Sequence, residues 1–158
     1  MTATNAARVI SSIDEAIDAI GEVFGVSNWI IVDQDRIDAF ADATGDHQWI
    51  HVEVERARTE SPYRSTIAHG LLTLSLIPAL SKANYRVDKA KMGINYGLNR
   101  VRFLAPVPAG SRVRVRSELV DARKVDDTTV DLIVRHTVEL AGSEKAAAVA
   151  EMIARMVF

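Results

Sequence analysis

The segment from residue 44 to residue 51, TGDHQWIH, holds a carboxylate and an imidazole that could act on one substrate. Asp46 directly follows a glycine, and His51 comes five residues later. A carboxylate and a histidine that grip one water molecule can move a proton to and from it, which is general acid–base chemistry. The spacing allows the two side chains to converge, and it does not say which of them is the base. Asp46 and His51 are therefore the candidate catalytic groups.

A third candidate is the backbone N–H of Gly70, because an apolar helix is predicted to begin there. The segment GLLTLSLIPALSKA is apolar around most of its circumference, which predicts a helix buried on nearly all sides. The first N–H groups of a helix have no partner inside it and carry the positive end of its dipole. Such a donor could receive charge that develops on a substrate oxygen, and a glycine would let the substrate approach closely.

The elements before this helix must position Asp46 and His51. Hydrophobic spacing predicts an amphipathic helix over residues 13–24 as part of an N-terminal extension, residues 1–24, with Ser12 and Glu15 at its start and Gly25 at its end.

A strand over residues 29–32 then leads to a second predicted helix over residues 34–43. Asp33 has the side chain of an N-cap, and Gly45 can end the helix in the left-handed conformation. Asp46 thus follows a helix end, and His51 is expected to begin an extended segment.

The second half of the chain is strand-like. Alternating or β-branched runs separated by short turns predict four consecutive antiparallel strands, near residues 93–104, 113–119, 130–140 and 146–157. The last strand carries alanines on one face, where a helix could approach closely. With the strand at residues 29–32, the sequence predicts an α+β protein in which an antiparallel sheet of five strands, or slightly more, wraps one buried central helix. This is the hot-dog fold.

A motif in the chain also resembles a known family. The pattern is Phe40-x-x-x-Thr44-Gly45-Asp46-x-x-x-Ile50-His51, followed by Ala68-His69-Gly70. It resembles the MaoC-like dehydratases, the R-specific enoyl-CoA hydratases, and their NodN-like branch in particular, over roughly residues 25–157. Many members have Asn-Pro where this chain has Gln48-Trp49.

The resemblance implies reversible hydration of trans-2-enoyl thioesters to R-3-hydroxyacyl thioesters. Asp46 and His51 would be the acid–base pair, and the N–H of Gly70 would bind the thioester oxygen. Coenzyme A or an acyl carrier protein would enter as part of the substrate, with no further cofactor. Gln48, Trp49 and Phe40 are candidates for the substrate pocket. A homodimer is expected, because pairing two sheets would remove one exposed edge from each.

Arginines in the second half could contact the phosphates of coenzyme A. Arg100 and Arg102 are the candidates. The similar row Arg112, Arg114 and Arg116 is interpreted as a solvated strand face, with contact to these phosphates as the alternative.

The remaining histidines are given structural roles. His47 is interpreted as a turn residue, His69 as a loop or helix-cap residue, and His136 as a hydrogen-bonded core or interface residue. The four histidines lack the spacing of a zinc site, and no metal is predicted.

Composition limits the possible classes. A chain of 158 residues, 48% of them hydrophobic, predicts a single domain over residues 1–158. With no cysteine, neither disulfides nor thiolate metal sites are available. No secretory signal and no apolar run of membrane-spanning length is found. The basic residues come without interleaved aromatics, which argues against nucleic acid. We expect a cytoplasmic protein with neither a membrane nor a nucleic-acid partner.

Two alternatives stay open. A thioesterase would use the same fold, with an acid on the central helix to activate water, but the predicted helix carries Thr73 and Ser75 and no acid. A non-catalytic module that binds acyl thioesters would keep the pocket without turnover, and the unusual Gln48-Trp49 pair would suit it.

Overall fold

A computed structural model of the chain describes residues 7–158. Within them lie five helices and eight strands. The helices are α1 (Ile13–Asp18), α2 (Gln34–Thr44), α3 (Trp49–Val52), α4 (Val54–Glu60) and α5 (Gly70–Ser81). The strands are β1 (Arg8–Ile10), β2 (Val23–Val26), β3 (Ile30–Val32), β4 (Tyr85–Val87), β5 (Met92–Phe103), β6 (Ser111–Lys124), β7 (Thr129–Leu140) and β8 (Ala148–Val157).

Six strands form one antiparallel sheet around α5. Strands β2, β6, β7, β8 and β5 lie side by side in that order, and β3 pairs with β6 beyond the end of β2. Strands β1 and β4 form a separate parallel pair. Helix α5 packs across one face of the sheet, against β6, β7 and β8. The predicted α+β hot-dog fold is confirmed.

The core beneath α5 follows from the alternation of side chains along the strands. Leu72 and Ile77 of α5 belong to a cluster of buried residues that also includes Val113, Val115 and Val138. The fully buried alanines of β8, Ala148 and Ala150, give the helix room to approach the sheet. Burying each large aliphatic side chain contributes about 1.5–3 kcal/mol.

The predicted helix over residues 13–24 is wrong in its second half. Ser12 does cap α1, since its hydroxyl accepts the N–H of Glu15, but the helix ends at Asp18. Val23–Val26 forms strand β2, and Gly25 lies inside that strand rather than at a helix end. The backbone of Val23–Val26 pairs with that of β6, and the Phe24 side chain is buried. Both contacts favour a strand here, and this strand is the sixth of the sheet. Residues 1–6 of the predicted extension lie outside the described residues.

Helix α5 is less enclosed than its composition predicts. The exposed fraction of Leu71 is 60%, and Ser75 is exposed on the flank that faces β5. Several large apolar side chains of β5 are also exposed: Met92, Ile94, Tyr96, Leu98 and Phe103. One flank of α5 and the neighbouring edge strand therefore form an open apolar surface. No helix within residues 7–158 is long and apolar enough to cross a membrane.

Candidate active site

Helix α2 delivers the chain to the site as predicted. The Asp33 side chain accepts the N–H of Arg36 at 3.0 Å and caps the helix start. Gly45 ends it in the left-handed conformation, with φ of 77°. The helix ends at Thr44, one residue beyond the predicted end. Asp46 then begins the turn and is exposed.

His51 lies in α3, a single helical turn, so the prediction that it begins an extended segment is wrong. Its N–H donates to the carbonyl of Gln48 at 2.9 Å, which winds residues 49–52 into a turn. The Gln34 side-chain amide donates to the carbonyl of His51 at 2.7 Å and holds this turn against α2. A turn satisfied from both sides is more stable than an isolated extended segment. It buries the imidazole, which is 7% exposed.

The tautomer of His51 follows from its partner. Nδ1 lies 2.6 Å from the carbonyl oxygen of Ile67, which can only accept, so Nδ1 carries the proton. Nε2 is left with a lone pair. Burial, and to a lesser degree the neighbouring His69, lower the pKa of His51, while the Ile67 carbonyl and Asp46 act in the opposite sense. The ring is therefore a neutral acceptor at pH 7.

The structure brings Asp46 and His51 together, and it adds His69. Ligand atoms of these three side chains all lie within 4.8 Å of one another. The His69 ring stacks on that of His51, with centroids 3.8 Å apart. Its Nε2–H donates to the backbone carbonyl of Asp46 at 2.9 Å, which ties the turn to the start of α5. Its Nδ1 is buried and meets no partner within residues 7–158.

The sequence did not predict that His69 lies beside His51, because a histidine directly before a helix is typical of a helix cap. Its presence in the Ala68-His69-Gly70 motif was the available signal. Asp46, His51 and His69 are also the described residues with side chains close enough to hold a metal ion. The prediction of no metal site stays a prediction.

Gly70 and His51 line one cavity of about 390 Å³. Gly70 is the first residue of α5, so the helix itself cannot satisfy its N–H. A side chain here would collide with its neighbour, since a Cβ on Gly70 would lie 2.9 Å from the Phe103 ring. The cavity thus combines a lone-pair acceptor with a backbone donor at a helix start. Its other walls include the apolar residues Ile67, Leu104 and Val107.

The other predicted site residues lie around this centre rather than in the cavity wall. Phe40 packs against His69, with ring centroids 5.0 Å apart. Trp49 lies beneath the Arg56 guanidinium, 4.4 Å from the ring centroid, and Gln48 is exposed in the turn. Their roles in substrate binding stay predictions.

Arg100 and Arg102 are exposed on β5. Because neighbouring side chains alternate along a strand, Arg102 points away from the face on which Phe103 meets Gly70. Of the row on β6, Arg114 pairs with Glu139 at 2.6 Å and lies 4.5 Å from the centroid of the Trp29 ring. The charge of Arg114 is therefore partly neutralised by a partner within the sheet.

Residues 15–140 match the model of the MaoC like domain. This chain belongs to the MaoC-like dehydratase family. Membership confirms the resemblance that the motif predicts, and 51% identity to a dehydratase over 95% of the chain makes the chain a hydro-lyase. The 3-hydroxyacyl-thioester dehydratase Z of Mycobacterium tuberculosis (strain ATCC 25618 / H37Rv) is 51% identical over 150 residues, 95% of this chain and 99% of that protein. Nodulation protein N of Rhizobium leguminosarum bv. viciae is 45% identical over 143 residues, 90% of this chain and 89% of that protein.

Solved structures agree on the fold. A MaoC-like dehydratase from Rhodospirillum rubrum superposes with a TM-score of 0.72 at 19% identity, over 88% of this chain and 92% of that one. An R-hydratase from Pseudomonas aeruginosa gives a TM-score of 0.65 at 22% identity, over 87% of this chain and 81% of that one.

Proposed function

We propose that this dehydratase hydrates trans-2-enoyl thioesters reversibly to R-3-hydroxyacyl thioesters. One observation carries the proposal: the Asp46 carboxylate lies within 4.8 Å of a ring nitrogen of His51, and His51 lines one cavity together with Gly70, the first residue of α5. A water molecule between His51 Nε2 and the Asp46 carboxylate would donate one hydrogen to each and so be held in one orientation. The name of the mycobacterial relative supports a thioester of a 3-hydroxy acid as the substrate class.

The reaction uses His51 as the proton carrier and Asp46 as the group that orients water. The water oxygen bonds to C3, one O–H bond breaks, and the proton goes to His51 Nε2. The C2=C3 electron pair moves to the thioester oxygen, which the Gly70 N–H stabilises. His51 then returns the proton to C2, so no net proton is taken up. The imidazolium that forms in between is stabilised by the nearby Asp46 carboxylate.

The decisive experiment follows the enoyl absorbance of crotonyl-CoA with purified protein. We expect hydration to R-3-hydroxybutyryl-CoA, which chiral analysis identifies, and a loss of about 10²–10⁴-fold in Asp46→Asn and His51→Ala. His47→Ala is the matched control, because His47 lies in the same turn but binds Asp42 at the surface. Unchanged absorbance with wild-type protein, or full activity in both variants, would sink the proposal.

The same assay separates the alternatives. Release of free thiol would indicate a thioesterase, although α5 carries no acidic residue. Tight binding without product would indicate a binding module.

Arg100 and Arg102 contact the phosphates of coenzyme A in this proposal. Both are exposed cations on β5, the strand at the edge of the sheet. Replacing either with Ala should raise KM for crotonyl-CoA roughly three- to tenfold and leave KM for crotonyl-pantetheine unchanged. An equal effect on both substrates would exclude phosphate contact.

The working form is a homodimer paired through β5. This strand lies at one edge of the sheet, and it exposes a row of large apolar side chains. An exposed apolar edge strand invites pairing, and a second copy offers a matching edge. Pairing would also cover the open flank of α5.

A further inference from the structure

A second cavity, of about 300 Å³, lies at the far end of α5, between its last turns and strands β5, β7 and β8. Its walls are mostly apolar, and they include Ile77, Val134, Met152, Ala154 and Met156. Ile77 and Met152 belong to the core beneath α5, whereas Val134 and Met156 belong to a separate cluster beneath α1. The cavity therefore marks the seam between the two parts of the core.

His136 lies on the wall of this cavity and is 2% exposed. Its Nδ1 is 3.0 Å from the hydroxyl oxygen of Ser117. That oxygen accepts an N–H of the Asn84 side chain at 2.8 Å, and Asn84 also donates to the carbonyl of Val115. The Ser117 hydroxyl hydrogen has no other acceptor within residues 7–158, so it donates to His136 Nδ1.

This network determines where the proton of His136 lies. Burial lowers the pKa of His136 to about 4, so the ring is neutral at pH 7 and has one N–H. Because Nδ1 accepts from Ser117, the N–H is on Nε2, which has no partner within residues 7–158. A neutral hydrogen-bond donor is therefore held in the wall of an otherwise mostly apolar cavity.

The cavity lies further along the same helix than the catalytic centre. Helix α5 contributes Gly70 to the catalytic cavity and Ile77 to this one, about 10 Å further along at 1.5 Å per residue. A third cavity lies between them, lined by Leu74 and Leu98, and it shares Pro78 and Met152 with the second. Leu74, Leu98 and Met152 thus give this side of α5 an apolar stretch between its two ends, interrupted by Ser75.

We propose that the second cavity binds the distal part of the acyl chain and that His136 Nε2–H selects chains with a keto or hydroxyl oxygen at that position. The inference rests on the proposed hydratase function. Apolar walls suit methylene groups, whereas a donor that a bound chain would shield from water without offering an acceptor is unfavourable. A plain alkyl chain leaves the donor unpaired, and an oxygenated chain pairs with it. Chains too short to reach the cavity are unaffected.

The test compares kcat/KM for long-chain 2-enoyl-CoAs with and without one keto group, placed at successive carbons. We expect wild-type protein to prefer the keto substrate roughly 3- to 10-fold at one or two positions only. His136→Phe should abolish that preference, and His136→Gln, which keeps an N–H donor, should retain part of it. Crotonyl-CoA hydration should stay unchanged in both variants, which also shows that they fold.

The outcomes separate this inference from the proposed function. Normal crotonyl-CoA hydration without a keto preference at any position, or with a preference that His136→Phe keeps, overturns the role of His136 alone. If no enoyl-CoA is hydrated, calorimetry with the saturated keto and plain acyl-CoAs measures the same preference as binding. Equal dissociation constants for the two ligands would then overturn the inference.

Discussion

The imidazole rings of His51 and His69 lie face to face, with centroids 3.8 Å apart and 26° between their planes. Each ring uses one N–H on a backbone carbonyl, His51 on Ile67 and His69 on Asp46. These two bonds join the turn after α2 to the residues that precede α5. His69 thus acts as a positioning residue for both catalytic candidates.

Replacing His69 by Phe should lower kcat about 10- to 100-fold, because Asp46 loses its tether while the buried stack is kept. His69 also lowers the pKa of His51, so the acidic limb of the kcat/KM profile should move to higher pH. Steady-state kinetics across pH 5–8 measures both effects, with His47→Ala as the control. A loss of activity with an unmoved acidic limb would reduce His69 to a packing role.

Activity should be lost as pH falls through a value below the ordinary histidine pKa of about 6.5. The folded-state pKa of His51 is lowered, and only the neutral ring can accept a proton from water. Asp46 acts against this shift, so residual activity in Asp46→Asn should show its acidic limb at still lower pH. If the acidic limb lies above pH 6.5, or if it moves to higher pH in Asp46→Asn, His51 is not the base.

Gly70→Ala should lower kcat/KM by about 10²-fold or more, because the new Cβ would lie 2.9 Å from the Phe103 ring beside the proposed oxyanion donor. The double variant Gly70→Ala/Phe103→Ala should recover a large part of this loss. Gly97→Ala is the matched control, since its Cβ would meet only Ile153 at 3.9 Å. No recovery in the double variant would show that the collision with Phe103 is not the cause.

The free energy of unfolding should fall by about 3 kcal/mol as pH decreases from 6.5 to 4 through His136 alone. The folded-state pKa of His136 is about 4, below its unfolded value of about 6.5, so the unfolded chain binds the extra proton first. Lys82, Tyr85 and Arg86 share its cavity, and the cations Lys82 and Arg86 oppose a charged ring there. Urea titrations at several pH values measure the effect, and His136→Phe should flatten the curve. If the free energy of unfolding of His136→Phe falls equally steeply with decreasing pH, the loss of stability comes from other groups.

The proposed dimer should dissociate in Leu98→Asp, which places a charge on the apolar edge strand β5. Val54→Asp is the control, because Val54 is an equally exposed apolar residue on α4. Light scattering after gel filtration gives the mass of each. A monomeric wild-type protein, or a dimer that survives Leu98→Asp, would show that β5 is not the contact.

The elements closest to the candidate site were predictable because local chemistry specifies them. Asp33 caps the start of α2 with its side chain, and Gly45 ends the helix in the left-handed conformation. Both signals act within a few residues. The start of α5 at Gly70 and the long strands of the second half follow from apolar periodicity in the same way.

Residues 19–26 show where local patterns fail. Val23 and Phe24 fit the apolar stripe of a helix as well as a short strand, and the free edge of β6 decides in favour of the strand. His51 is a similar case, since the bond from Gln34, 17 positions away in the chain, holds its turn.

The sequence by itself determined the family, the fold and the glycine that begins the central helix, and it predicted Asp46 and His51 as the candidate pair, because motif, capping and periodicity are local. Only the tertiary structure decided that His51 accepts rather than donates at Nε2, that His69 stacks on it, and that His136 lies in the wall of a mostly apolar cavity. These properties depend on carbonyls, hydroxyls and burial supplied by residues far away in the chain. A tautomer or a pKa is set by such neighbours and not by residue type.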